Sequence, residues 1–121
     1  MFRFKKFKVY NDAKKFIGFC EKIIGKENNR ESSALVYQIR SAYLSIILNI
    51  AEGAACASDK EFRRFLEISL RSVHEVVAAF DVAFEIGIFN AKIQSELEIF
   101  AEELCKQING FRKHLGGGGK L

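Results

Sequence analysis

The segment from Gln38 to Gly53, QIRSAYLSIILNIAEG, constrains the fold more than any other part of the sequence. It carries no charge between Ser41 and Ala51. At about 100° per residue, its apolar side chains cover nearly the whole circumference of a helix. A helix that is apolar on most sides is buried on more than one side. We therefore expect this helix to pack inside its own fold on one side and against a second molecule on another.

The helical wheel divides this segment into two apolar faces and one polar stripe. One apolar face consists of Leu35, Ile39, Tyr43, Ile46 and Ile50. The other is the predicted oligomer interface and consists of Tyr37, Arg40, Leu44, Ile47, Leu48 and Ala51. The polar stripe contains Ala34, Gln38, Ser41, Ala42, Ser45, Asn49, Glu52 and Cys56. The sequence alone leaves two alternatives for this stripe, exposure to solvent or a hydrogen-bonded seam between helices. The alternative to an oligomer is a central helix covered by its neighbours, but a four-helix bundle has no central helix.

Helical periodicity recurs in four segments, at about residues 9–24, 32–55, 58–87 and 90–115. Ser58 and Glu61 form a capping-box pattern, Asn90 is a favourable N-cap, and Gly87 ends the third segment. The chain has no proline, and its loops are short. These features predict an all-α, antiparallel up-down-up-down four-helix bundle over residues 1–115, followed by a flexible glycine-rich tail at 116–121. Residues 2–4 are expected to form a short extended arm.

Composition argues against several classes of protein. The three cysteines are far apart, and neither histidine lies at metal-ligand spacing from them, so we expect no disulfide framework, metal site or cofactor. The N-terminus lacks a signal-peptide pattern, and Ser and Asn interrupt the most apolar segment, which predicts a cytoplasmic protein with no membrane partner. Ser72, His74 and Glu75 are close in sequence but point in different directions on a helix, so we expect no enzyme.

Basic residues give two candidate groups for contact with nucleic acid. The formal net charge is +4, and aromatic residues interleave with the N-terminal lysines. Basic side chains bind phosphates, and aromatic rings stack on unpaired bases. The candidates are Arg3, Lys5, Lys6 and Lys8 in the first group and Arg63, Arg64 and Arg71 in the second. The alternative is that the lysines are ordinary solvent-facing residues and that Phe7 and Tyr10 belong to the core.

Two blocks of the sequence resemble a known family. The first contains Gln38, Arg40, Ser45, Asn49, Glu52 and Gly53, and the second contains Ser72 and Glu75. Together they resemble the bacterial four-helix-bundle family of 23S ribosomal RNA intervening-sequence proteins, which includes the accessory variability protein of diversity-generating retroelements. Ser41 stands where the family pattern has a second Arg, and Ser69 and Arg71 stand in place of Ala and Gly.

The resemblance implies a four-helix bundle that assembles into a ring-like homopentamer without an established enzymatic activity. It also implies RNA, or a nucleoprotein such as a reverse transcriptase, as a partner. We therefore expect a non-enzymatic, oligomeric accessory factor that binds RNA. The alternative is a homo-oligomeric scaffold that binds a protein partner and has no nucleic-acid role.

Overall fold

The computed structural model describes residues 1–26 and 33–115. A 3-10 helix over Arg3–Lys6 precedes four α-helices: α1 (Lys8–Ile24), α2 (Ser33–Ala54), α3 (Asp59–Glu85) and α4 (Ala91–Leu115). The helices form an all-α four-helix bundle, which confirms the predicted fold class. The predicted tail at 116–121 and most of the loop between α1 and α2 lie outside the described residues.

The helix ends follow the local signals in the sequence. The Ser58 hydroxyl accepts a hydrogen bond from the backbone N–H of Glu61 at 3.2 Å, and the Asn90 side-chain oxygen accepts one from Ile93 N–H at 2.9 Å. These bonds satisfy backbone donors that the first turn of a helix leaves free. Gly87 has a φ of +86°, a left-handed conformation that glycine adopts without steric cost.

The predicted extended arm at the N-terminus is wrong. Residues 3–6 form a 3-10 helix, closed by backbone bonds from Lys5 N–H to Phe2 O and from Phe7 N–H to Phe4 O, both 3.1 Å long. The Phe4 ring packs edge-on against Tyr10, with centroids 4.8 Å apart. An extended arm would lose these ring contacts and backbone hydrogen bonds. The alternation of aromatic and basic residues in the sequence does not predict them.

The core lies between the four helices, and α2 contributes nine buried residues to it. The largest fully buried side chains come from the other helices: Phe16 of α1, and Phe62 and Phe80 of α3. By length and composition alone, α2 is also apolar enough to cross a membrane. The core helix of a soluble bundle passes the same test, and the absence of a membrane partner stays a prediction.

At Gly53, α2 lies close against α3. A Cβ atom at this position would lie 2.6 Å from Cδ1 of Phe62 and 2.9 Å from Cβ of Phe65, both on α3. Real Cβ atoms do not come this close to other heavy atoms, so glycine permits the contact between the two helices. Packing against α3 therefore accounts for glycine at position 53 of this chain.

We predict that Gly53→Ala destabilises the bundle, although alanine is the better helix former by about 1 kcal/mol. The methyl group would overlap Phe62 and Phe65, and overpacking of this kind costs about 1–3 kcal/mol. The control is Gly18→Ala in α1, where an added Cβ meets nothing within 4 Å. Chemical denaturation should show a lower free energy of unfolding for Gly53→Ala and an equal or higher one for Gly18→Ala. Equal stabilities of the two variants would contradict this account.

Candidate nucleic-acid interface

Positive charge is concentrated where α1 begins, α2 ends, α3 begins and α4 ends. We call this the basic end and define it as residues 1–12, 52–67 and 105–115. Contacts join its segments: the Phe7 and Phe111 ring centroids are 5.1 Å apart, and those of Phe62 and Phe111 are 5.3 Å apart. Its basic residues are Arg3, Lys5, Lys6, Lys8, Lys60, Arg63, Arg64, Lys106, Arg112 and Lys113. Its acidic residues are Asp12, Glu52, Asp59, Glu61 and Glu67.

The remaining described residues have the opposite balance. They contain seven Lys or Arg and eight Asp or Glu residues. The basic end has ten against five, so it accounts for the positive charge of the described chain. The two predicted basic groups therefore belong to one end of the bundle, except for Arg71. The two groups come together because of how the helices pack, and their spacing along the sequence does not predict this.

Arg3 attaches the N-terminal segment to the bundle. Its Nε donates a hydrogen bond to the Ala54 carbonyl at the end of α2, at 3.0 Å. Its guanidinium carbon lies 5.6 Å from the Phe7 ring centroid and 5.8 Å from that of Phe62, within the range of cation–π attraction. Arg3 thus holds the neighbouring Lys5 and Lys6 in place at the surface, where both side chains are exposed.

Two of the predicted binding residues already have partners within the chain. Lys8 forms an exposed ion pair with Asp12 at 2.7 Å, one turn further along α1. Arg63 donates a hydrogen bond to the carbonyl of Leu115 at the end of α4, at 2.8 Å. Arg63 therefore does not share a surface with Arg64 and Arg71 as the sequence suggested, because it turns towards α4.

Arg64 and Arg71 lie two turns apart on α3, and both are exposed. Within the described ranges, neither has a carboxylate partner. Sequence reasoning did not include Lys106 and Lys113 of α4, which are also exposed at the basic end. For Lys113 the signal was the basic last turn of α4, which the helix dipole accounts for without a ligand. Lys106 lies about two turns earlier in α4 and had no such signal.

The polar stripe of α2 forms a hydrogen-bonded seam with α3 in its central part. The hydroxyls of Ser45 and Ser72 are 2.7 Å apart, and Asn49 donates to the Ser45 carbonyl at 2.8 Å. The hydroxyl of Ser69, fully buried, donates to the Ile46 carbonyl at 2.7 Å. These residues satisfy one another's polar groups, as buried polar groups require. Gln38, Ser41 and Glu52 of the same stripe are exposed to solvent.

Arg40, the motif arginine, bridges α2 to α1. It donates two hydrogen bonds to the Glu21 carboxylate, at 3.1 and 2.6 Å. The hydroxyl of Tyr43 donates to the same carboxylate. The Arg40 and Tyr43 hydrogen bonds hold the pKa of Glu21 below its ordinary value. Burial, and then the bond to Glu21, raise the pKa of Tyr43 to about 12.

The predicted oligomer face of α2 is largely uncovered in a single chain. Tyr37 is 70% exposed, Leu44 is 48% exposed and Leu48 is 56% exposed. Ile47 was predicted for the same face, but it is buried in the core cluster of the single chain. Ala51 is half-buried at its border.

The residues considered for catalysis do not converge. Ser72 is bonded to Ser45, whereas His74 is exposed and its Nδ1 lies 3.1 Å from the Leu70 carbonyl of the preceding turn. Burial raises the pKa of the Cys20 thiol, which makes this cysteine unreactive. In residues 1–26 and 33–115, no three His, Cys, Asp or Glu side chains are grouped to hold a metal ion.

We predict that Glu21→Gln removes a pH-dependent part of the stability. The pKa of Glu21 is lower in the folded chain than its ordinary value of 4.5. Its stabilising contribution is therefore present above that value and is lost as the pH falls through the folded-state pKa. The difference in melting temperature between wild type and Glu21→Gln should be larger at pH 7 than at pH 2. The control is Glu103→Gln, an exposed residue of α4 with no ion pair in the described part of the chain. An equal pH dependence for both variants would refute the role of Glu21.

Comparison with known proteins identifies the family. The family model for the 23S rRNA-intervening sequence protein matches residues 5–110, which cover α1, α2, α3 and most of α4. A search of curated proteins gave no match. The match agrees with the resemblance seen in the two sequence blocks, and the structure gives those blocks packing roles at Gly53 and along the α2–α3 seam. The chain belongs to the 23S rRNA-intervening sequence protein family.

Proposed function

We propose that this protein is a non-enzymatic, cytoplasmic accessory factor that binds RNA through the basic end of a homo-oligomer. The observation that carries the proposal is the charge of that end, with ten basic against five acidic residues. The rest of the described chain is close to neutral. A phosphate backbone binds to such a surface with release of counterions, without the need for a specific base sequence.

The positions of several positive charges at the basic end support a binding role. The first turn of α1 contains Lys8 and no acidic residue. A positive charge at a helix N-terminus opposes the helix dipole and costs stability. Natural proteins depart from such local rules mostly at functional sites. Lys5, Lys6 and Arg64 are exposed and have no carboxylate partner in the part of the chain that the structure describes, so they are free to contact phosphates.

The exposed apolar face of α2 supports assembly of several copies. Tyr37, Leu44 and Leu48 recur at helical spacing, and Ile68 of the adjacent α3 is also exposed. An apolar patch on one side of a soluble domain is typical of a protein interface. We propose self-association through this face, as a pentamer by family resemblance. Several basic ends in one assembly would bind one RNA with higher avidity than a single chain.

A protein-binding scaffold with no nucleic-acid role is the second candidate function. The same apolar face favours it, because a partner protein without nucleic acid could cover Tyr37, Leu44 and Leu48. Salt separates the two functions. Phosphate binding weakens steeply as salt rises, whereas apolar docking does not.

We predict that replacing Lys5, Lys6 and Arg64 by alanine weakens binding to a structured RNA and lowers its dependence on salt. Each lost phosphate contact should reduce the slope of log K against log salt by about 0.7–0.9. The control replaces Lys22, Lys26 and Lys92, which removes the same charge outside the basic end. Filter binding of nuclease-treated protein at rising salt measures both slopes. If the control loses as much affinity as the test variant, net charge rather than the basic end determines binding.

We predict that Leu44→Glu dissociates the oligomer without loss of helix content. The substitution puts a charge into the apolar face, where burial without a partner is costly. The control is Ile99→Glu, which puts the same charge on an exposed position of α4. Light scattering after gel filtration should give the monomer mass of 13.7 kDa for Leu44→Glu and the wild-type mass for Ile99→Glu. An unchanged mass for Leu44→Glu would exclude this interface.

A further inference from the structure

A cavity of about 360 Å³ opens at the basic end, between the start of α1 and the last turns of α4. This volume lies near the lower limit for small-molecule sites, about 300–1,000 Å³. The residues that determine its chemistry are Phe7, Lys8, Lys106, Gln107, Gly110 and Phe111. The cavity therefore combines aromatic rings, ammonium groups and one amide in a space suited to a single compact group.

The two aromatic rings that line the cavity, Phe7 and Phe111, pack against a buried third ring. The Phe7 and Phe111 rings meet at 65°, with centroids 5.1 Å apart. Both also contact Phe62, which is 1% exposed, with ring centroids 6.1 and 5.3 Å away. Phe7 and Phe111 remain partly exposed. The two rings are thus a preformed apolar surface rather than side chains that must be ordered by a ligand.

The charged residues at the cavity are all positive. Lys106 is exposed and has no carboxylate partner in the described chain, and Lys8 is paired with Asp12 while its side chain remains 72% exposed. None of the described residues that line the cavity is acidic. A larger cleft of about 570 Å³ between α3 and α4 differs in this respect, because Asp81, Glu98 and Glu102 line it. An anion with a planar apolar part fits the first cavity and not the second.

We propose that the cavity between α1 and α4 binds one unpaired nucleotide of an RNA. In this proposal the base packs against Phe7 and Phe111. The Gln107 amide, which lines the cavity, bonds a base edge, and Lys106 and Lys8 contact the flanking phosphates. The inference rests on the proposed RNA binding and specifies single-stranded RNA as the ligand of this site. Stacking on aromatic side chains requires an unpaired base, because a paired base is covered by its neighbours in the helix.

Gly110 offers a way to close the cavity without disturbing the core. A Cβ added at Gly110 meets nothing within 4 Å, and the same is true of Gly18 in α1, which is outside the cavity. Leucine at either position should keep the bundle folded, because it is a better helix former than glycine. Gly110→Leu fills the cavity, and Gly18→Leu is the matched control.

The test measures binding of two probes, a labelled single-stranded RNA of about 12 nucleotides and a blunt-ended RNA duplex of similar charge. Gly110→Leu should weaken single-strand binding about tenfold or more, the effect of losing one stacked base. Duplex binding should not change, and Gly18→Leu should bind both probes like the wild type. Equal effects of Gly110→Leu on the two probes, or no effect, would overturn the nucleotide site and leave the basic end as an RNA-binding surface. If the wild type binds neither probe, the proposed function itself fails.

A second pair of variants keeps the test decisive if Gly110→Leu does not fold. Lys106→Gln removes a cavity charge, and Lys92→Gln removes one from the far end of the same helix. Lys106→Gln should weaken single-strand binding more than duplex binding and reduce the salt slope of single-strand binding by about 0.7. Equal behaviour of the two lysine variants would overturn the assignment of the cavity.

Discussion

The packing of α2 on α3 is the interaction on which the other features of the bundle depend. Gly53 lets the two helices approach, since a side chain there would overlap Phe62. The Ser45–Ser72 hydrogen bond then fixes how α2 is rotated about its axis. In that rotation Ile46 and Ile50 are buried, and Tyr37, Leu44 and Leu48 point away from the core. The apolar face available for assembly is therefore a consequence of the same contacts that stabilise the single chain.

The same packing also builds the basic end. Because α2 ends where α3 begins, the Ala54 carbonyl lies within reach of Arg3, which fixes the N-terminal segment beside α3. Arg63 similarly attaches α3 to the last residue of α4. These arginines position the surface, and the exposed residues around them are available to a ligand. The structural roles fall on Arg3 and Arg63, and the binding role that we propose falls on other basic residues of the same end, although composition makes them look alike.

Local signals in the sequence predicted the helix ends well, because Ser58, Asn90 and Gly87 act on backbone groups of their own segments. Periodicity also predicted a second apolar face on α2. It did not separate Ile47, which is buried, from Leu44, which is exposed, because a few tens of degrees of helix rotation decide between them. The bond between Arg40 and Glu21, the turn of Arg63 towards α4 and the cavity beside Phe111 all depend on packing between distant segments. No spacing rule within one segment contains that information.

The central claim is that RNA contacts this protein at the basic end. Ultraviolet crosslinking of the unmodified protein to a uniformly labelled RNA, followed by mass spectrometry of the crosslinked peptides, tests it most directly. Our account predicts crosslinks within residues 1–12, 59–64 and 105–115, with aromatic residues of the first and last segments among the attachment points. Crosslinks confined to residues 33–51 or to the first half of α4 would contradict it, because the RNA would then lie on a different surface of the bundle.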